Sequence, residues 1–482
     1  MLAVHLSALG SPAGVDEALA LVDGFDAALE QGLGRLSPEH AAALGALAGA
    51  VAATPLGAVA AEAADKLAAG AASDSRLLAL AGARAAVLGA VHDALLDGFD
   101  TALGRTRAPW SPPGTASGSA PSGSAPSGPE PSGSALSPFG PSGSASSPVN
   151  LLAGCRSWLG ELAITGWRGV GHDLVAAADP TIEALLAVPS LRRLAVLVDG
   201  LAAELRASSP VATMEHLPVR RWADLWSRAM LLTEPQPAHA GEPVSGRLLL
   251  LGVDVHEHGT AVQIQAHGLL ETAGETRLVR TSLAAAKVDT IVGAAVWRLF
   301  SAYPVLLSAL AKRLTLDITG MTLLPSGDLL WNDDQARGGE LANPFTVARV
   351  QLATGLAPAV PPLERHPVRL AEPVLIEGYS SDGATVDLDG HTLTVERLSG
   401  SGPLTAELVA ASTACLGLLR WDGGRWLLQP LAVQATVKRK PVEAHSGDWA
   451  EGITDPKLAK AEAKHGDAVA VLKERAGRLL RK

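Results

Sequence analysis

Cysteine is nearly absent. Two residues in 482, Cys155 and Cys415, stand in separate apolar runs. They supply neither a disulfide framework nor a CxxC metal knuckle, and both are expected to be buried thiols acting as small apolar residues. Aromatics are scarce at 4%, so the cores must be built largely from Ala, Leu and Val. Ala loses no side-chain entropy in a helix, and such a chain leans helical. Unbroken apolar runs are short. The longest, 290–310, is interrupted by Arg298 and Pro304, and a membrane span needs roughly 18 residues. The N-terminus lacks the basic start of a secretory leader. These absences predict a cytoplasmic protein with no membrane partner, and the Ala, Gly and Pro bias points to a GC-rich bacterial genome.

Positive charge is also in short supply. The formal net charge is −10, which argues against a protein that coats nucleic acid along its length. Residues 1–107 carry twelve acidic against six basic side chains, whereas 438–482 carry eleven basic against seven acidic. Only the tail can act as an electrostatic foot. Motifs of the commoner chemistries are missing too: no phosphate loop, no GxGxxG leading from strand to helix, no GxSxG and no HExxH. No residue is assigned a catalytic or cofactor-binding role, and no cofactor is expected.

What is present is organisation, and it predicts an α+β multi-domain chain. Residues 1–107 form an Ala/Leu-rich α-helical N-terminal bundle. Ser37-Pro38-Glu39 opens one helix with an N-cap, a proline at the first helical position and an acid in the first turn. Thr54-Pro55 repeats the signal. A long disordered linker of Ser, Gly and Pro occupies 108–149, with too few apolar side chains to offset the entropy of ordering. A second helical segment covers 150–235. A β-rich body of small barrels or sheets follows, in two parts, 236–345 with a helix at 290–310 and 346–440. A charged helical tail, 441–482, ends the chain. The turns Pro325-Ser326-Gly327, Asp389-Gly390 and Asp422-Gly423-Gly424 punctuate alternating apolar residues, a strong hairpin signal.

An internal echo runs through the helical part. Ala20–Leu29, ALVDGFDAAL, recurs 74 residues later as Ala94–Leu103, ALLDGFDTAL, with eight of ten positions shared. Val196–Leu205 is a fainter third version. Repeated helical units suggest a helical repeat that binds partners. The pairs Asp23 and Asp26, Asp97 and Asp100 have the i, i+3 spacing of metal ligands, but exposed acids on amphipathic helices account for them without metal.

Other patterns carry candidate chemistry beside a plainer explanation. His256, His258 and His267 are candidate metal ligands, because alternate strand residues share a face; solvation of a hairpin tip explains the first two equally. Asp333 and Asp334 before Arg337 can serve as acid and base, or simply form a turn. Trp421 and Trp426 flank one hairpin, as cross-strand packing requires. Trp222 and Trp226, at i, i+4 beside Arg221 and Arg228, are either core or a protein-binding anchor. The expected function is a non-catalytic scaffold or adaptor whose helical and β-rich domains bind protein partners. The alternatives are a nucleic-acid-associated protein with OB-like β-domains and a basic tail, and a hydrolase or metalloenzyme using the clusters at 254–267 or 331–337.

Overall fold

The computed structural model describes residues 3–10, 12–112, 148–234, 241–257, 261–288 and 290–453, with 459, 460 and 474. Most of the expected linker and most of the expected helical tail lie outside the described residues. The chain is α+β and divides into two compact units. A helical unit comprises Leu19–Val87 and Ser111–Ala238; a β-rich unit comprises Met1–Ala18, Leu88–Trp110 and His239–Lys482.

In the helical unit the first start signal works as chemistry requires, whereas Thr54-Pro55 forms a turn ahead of the helix Gly57–Ala68, which has no side-chain cap. Ser37 accepts a hydrogen bond from the His40 amide at the head of Pro38–Ala50. The helices Pro148–Thr165, Arg192–Ala207 and Val219–Leu232 bring leucines and three tryptophans into the core. Trp167 meets Trp222 edge-on at 6.1 Å, an arrangement the ring quadrupoles favour. The 30-residue helix Asp74–Leu103 is apolar and long enough to cross a membrane by length and composition alone, and 61% of its most apolar stretch is buried inside the protein. Its residues to Val87 belong to the helical unit and those from Leu88 to the β-rich unit.

The β-rich unit holds two sheets. The first contains β1 (Glu242–Glu257), β2 (Ala261–Glu271), β3 (Thr276–Ala286), β4 (Leu314–Leu323), β5 (Leu329–Leu330) and β6 (Ala336–Leu341), ordered β3-β2-β1-β4-β5 with β6 also on β4. The second contains β7 (Glu372–Glu377), β8 (Ser380–Ser381), β9 (Thr385–Leu388), β10 (His391–Val395), β11 (Ser412–Asp422), β12 (Arg425–Val437) and β13 (Lys440–His445). Its order is β7-β11-β12-β10-β9-β8, with β13 also on β12. The β-rich part includes a nearly closed barrel. One face of the first sheet packs on Trp297, Phe300 and the helix Pro304–Lys312. The expected helix at 290–310 is in fact two pieces, a 3-10 stretch Gly293–Phe300 and this α-helix, because Pro304 can only open a helix.

The other face meets the second sheet. Leu249, Leu251, Leu269 and Leu278 pack with Leu375, Leu416 and Ala432 in one cluster. Each buried leucine contributes about 1.5–3 kcal/mol. Gly252 makes the approach possible, since a Cβ there would stand 2.7 Å from Leu431 Cβ. The segments expected as 236–345 and 346–440 therefore share a core. A boundary at 345 would cut the helix Pro344–Gln351, which Asn343 caps and whose Phe345 and Ala348 belong to that core. The boundary at 440 likewise falls within β13. The run Lys438-Arg439-Lys440 suggests a charged tail in sequence, yet Lys438 and Arg439 take φ of 51° and 64°, the left-handed pair of a two-residue hairpin turn.

Candidate functional site

Along the sheet face that meets the second sheet, apolar residues give way abruptly to polar ones. Side chains alternate on a strand, so Leu269, His267, Gln265 and Gln263 follow one another on one face of β2. On β3 the same face runs Leu278, Arg280, Ser282; on β1 it runs Leu251, Asp254, His256. The register pairs His267 with Gly252 and Arg280, and Gln265 with Asp254 and Ser282. Arg420 on β11 closes the gap from the second sheet, its Nη1 3.3 Å from Asp254 Oδ2. The result is a cleft of about 320 Å³ lined by charged and amide side chains, roofed by the segment Pro358–Glu372 and flanked by His92 and Arg107.

Its charges are held by one another. Arg280 engages Asp328 in a bidentate pair, at 2.6 and 3.2 Å, and Ser326 donates a hydrogen bond to the same carboxylate. The Pro325-Ser326-Gly327 turn positions both, with the Gly327 carbonyl accepting the Arg280 amide. Arg107 binds both oxygens of Asp100 and reaches Glu372 at 3.1 Å. Glu372 also takes Arg105, at 3.0 Å. Glu364 pairs with Arg369. His256 Nε2 lies 2.7 Å from Asp254 Oδ2.

The electrostatics follow from these contacts. Burial pushes the carboxyls of Asp254, Asp328 and Glu372 up, but their neighbours outweigh it and hold all three below the usual range: His256 and Arg420 for Asp254, Arg280 and Ser326 for Asp328, Arg107 and Arg105 for Glu372. His267 is 3% exposed. Burial, with Arg280 beside it, lowers its imidazole to about 4, so it is neutral at pH 7. Its Nε2 is a buried ring nitrogen with no hydrogen-bond partner, an arrangement that costs about 1–3 kcal/mol.

The residues singled out in the sequence are distributed unevenly around this site. His256 and His267 share its face, but the Asp254–Gln265 pair stands between them along the strands; His258 lies outside the described residues. Among the described residues no three His, Cys, Asp or Glu side chains converge as metal ligands. Asp333 is a helix cap: its carboxylate accepts the amides of Val305 and Leu306 and the Trp331 indole N–H. Trp421 and Trp426 face each other across the β11–β12 pair. In the helical unit Trp222 and Trp226 are fully buried, their N–H groups spent on Glu204 and the Leu159 carbonyl. A protein-binding anchor needs indoles a partner can reach, and these are core. Of that set Arg221, paired with Glu204, is largely exposed, while Arg228 is half-buried.

The Asp–Gly–Phe–Asp repeats need a correction of their own. Asp26 is 2% exposed and receives Arg84 through two hydrogen bonds of 2.7 and 2.8 Å. Asp100 holds Arg107 in the same two-pronged way. The second acid of each copy is an internal counter-ion, not an exposed residue, while Asp23 lies at the surface against Arg220.

No protein-family model, no curated protein and no solved structure matches this chain. The site therefore rests on its own geometry. Sequence reasoning passed over Asp254, Arg280, Asp328, Glu372 and Arg420. The available signal was a lone charge inside an apolar strand, as in Leu251-Gly-Val-Asp254-Val and Leu278-Val-Arg280, since charges are rarely buried unless paired.

Proposed function

We propose that the chain is a non-catalytic binding protein, a scaffold or adaptor for other proteins, and that the polar cleft of the β-rich unit is its recognition element. The observation that carries this reading is the fixed array of charges on a sheet face that is otherwise leucine. Each arginine on the cleft is held by a carboxylate, so donors and acceptors are presented in set positions. Preorganisation of this kind lowers the ordering cost of recognition.

The test is affinity capture from the native host with the full chain, compared with a His256→Glu, Gln263→Glu double variant that alters the cleft rim and leaves the leucine core intact. A protein retained by the original chain and lost from the variant is the expected result. Identical retention by both, or none by either, would remove the cleft as the recognition element.

A further inference from the structure

The first sheet has an uneven seam. β3 is 11 residues long, but β5, which meets its outer edge, has only 2. Before the meeting point the chain fills that edge itself. The amides of Leu278 and Arg280 donate to the carbonyls of Leu356 and Gly327, and the Leu356 amide donates back to Thr276. Thr281 Oγ1 adds a bond to the Leu329 carbonyl. Beyond Leu330 the strand cannot follow β3 further, because Asn332 caps a 3-10 turn and Asp333 holds the head of the helix Pro304–Lys312. Alternate residues of a strand direct their backbone groups to the same side. Ser282, Ala284 and Ala286 therefore turn N–H and C=O outward, as Leu278 and Arg280 do. Among the described residues these three have no backbone partner on that side, and all three are exposed.

The other edge strands carry the usual guards against added strands. β13 has Pro441 and two charges, β7 has Pro373 between Glu372 and Val374, β6 sets Arg337 and Glu340 around two glycines, and β8 is very short. Ser282-Leu-Ala-Ala-Ala286 has no proline, no charge and no shift of register against β2. The pleat also states what an added strand would meet. On one face stand Leu283, in the core of the first sheet, and Ala285, packed against that core. On the other stand Ser282, which accepts a hydrogen bond from Gln265, and the two small residues Ala284 and Ala286. We propose that this edge takes an extended segment of a partner protein as an added strand, with apolar residues alternating with uncharged polar ones. Backbone pairing supplies the attachment and the alternate side chains the selectivity. Pairing with a second copy is the poorer fit, since the open stretch 282–286 is short against the roughly 20–30 residues a side of a stable interface. The edge adjoins the cleft through Gln265, and the proposal rests on the reading of the chain as a binding protein.

Random heptapeptides displayed on phage and selected on the full chain supply the probe, which is then synthesised with blocked ends and titrated by fluorescence anisotropy. Ala284→Pro removes an N–H that the pairing with β2 does not use, a substitution an edge strand accepts, and should weaken binding at least ten-fold. Ala284→Lys puts a charge on the edge and should act in the same direction. Thermal melting checks that both variants remain folded, and the lysine variant serves if the proline one does not. Methylating every second amide nitrogen of the peptide should abolish binding in one phase and spare it in the other, because only alternate N–H groups face β3. No selected sequence, equal binding by both variants, or equal loss in both methylation phases would overturn the proposal. So would a dimer, seen by sedimentation, that Ala284→Pro dissociates, since the edge would then belong to a second copy. Peptide binding that ignores the His256→Glu, Gln263→Glu variant supports the edge while the cleft loses its role. Host-protein capture that ignores both Ala284 variants but depends on that rim keeps the cleft and overturns the edge.

Discussion

The two copies of the ALxDGFDxAL segment serve the same purpose in unlike surroundings. In the helical unit, Phe25 packs on Trp226 of a neighbouring helix at 6.3 Å with an interplanar angle of 38°. In the β-rich unit, Phe99 packs on Trp426 of β12 at 6.4 Å and 34°. In each, the aspartate after the phenylalanine chelates an arginine. The same helical face, Phe inward and Asp beside it, thus docks on a helix in one case and on a sheet in the other. What the segment specifies is an aromatic contact and an ion pair, and neither depends on the secondary structure of the receiving surface. The copies differ in how deeply the ion pair is sunk. Asp26 and Arg84 side chains are 3% and 1% exposed, Asp100 and Arg107 15% and 14%.

The sharpest way to break the comparison is Asp26→Ala. It leaves the buried Arg84 guanidinium with Asp224 and Ser227 as its partners among the described residues, and removal of one partner of a buried pair costs about 3–5 kcal/mol. Urea unfolding followed by the helical circular-dichroism signal measures this; a loss below about 1 kcal/mol would show that the pair does not seat the first copy.

The next effect belongs to the β-rich unit alone and separates it from its helical counterpart by pH. His267 accepts a proton near 6.5 in the unfolded chain but only near 4 in the folded one. The unfolded state then binds more protons between those values, so stability is full above pH 6.5, declines as pH falls, and stops declining from this source near pH 4. The loss amounts to about 3 kcal/mol. The pH dependence of the unfolding midpoint should flatten in His267→Gln, and an unchanged slope would count against the buried neutral imidazole.

Asp100→Ala should cost about 1–2 kcal/mol, less than its counterpart, because the Asp100–Arg107 pair retains more contact with water, while each arginine keeps a second carboxylate, Glu372 for Arg107 and Asp224 for Arg84. Equal losses at Asp26 and Asp100 would erase the distinction in depth. Smallest of all, Phe25→Leu and Phe99→Leu should each cost about 1 kcal/mol. The faint third copy already carries Leu201 at this place, fully buried. Similar losses in the two units would confirm that the aromatic contact is interchangeable between helix and sheet.

Much of the local structure was legible before folding. The helix starts at Ser37-Pro38 and the hairpins at Asp389-Gly390 and Asp422-Gly423 depend on capping and turn preferences that act within a few residues. The cleft was not legible. Its members come from β1, β2, β3, β11, the segment after Pro358 and the end of a helix, and Arg107 stands 265 positions before Glu372, its partner. The duplicated acids, metal-like or surface-like by spacing, became counter-ions because arginines 58 and 7 residues away reach them. Asp333 became a helix cap for the same reason, since Val305 and Leu306 lie on another segment.

By itself the sequence determined where the helix at Pro38 begins, where strands turn, that two cysteines would be buried, and that one amphipathic segment would be used twice. Those outcomes follow from backbone preference and periodicity, which are properties of neighbours along the chain. Tertiary structure decided that two β-rich stretches share one leucine core, that Trp222 and Trp226 are interior, and that leucine gives way to paired charge to make a cleft. Each of these depends on which surfaces exclude water together, and desolvation is set by residues far apart in sequence.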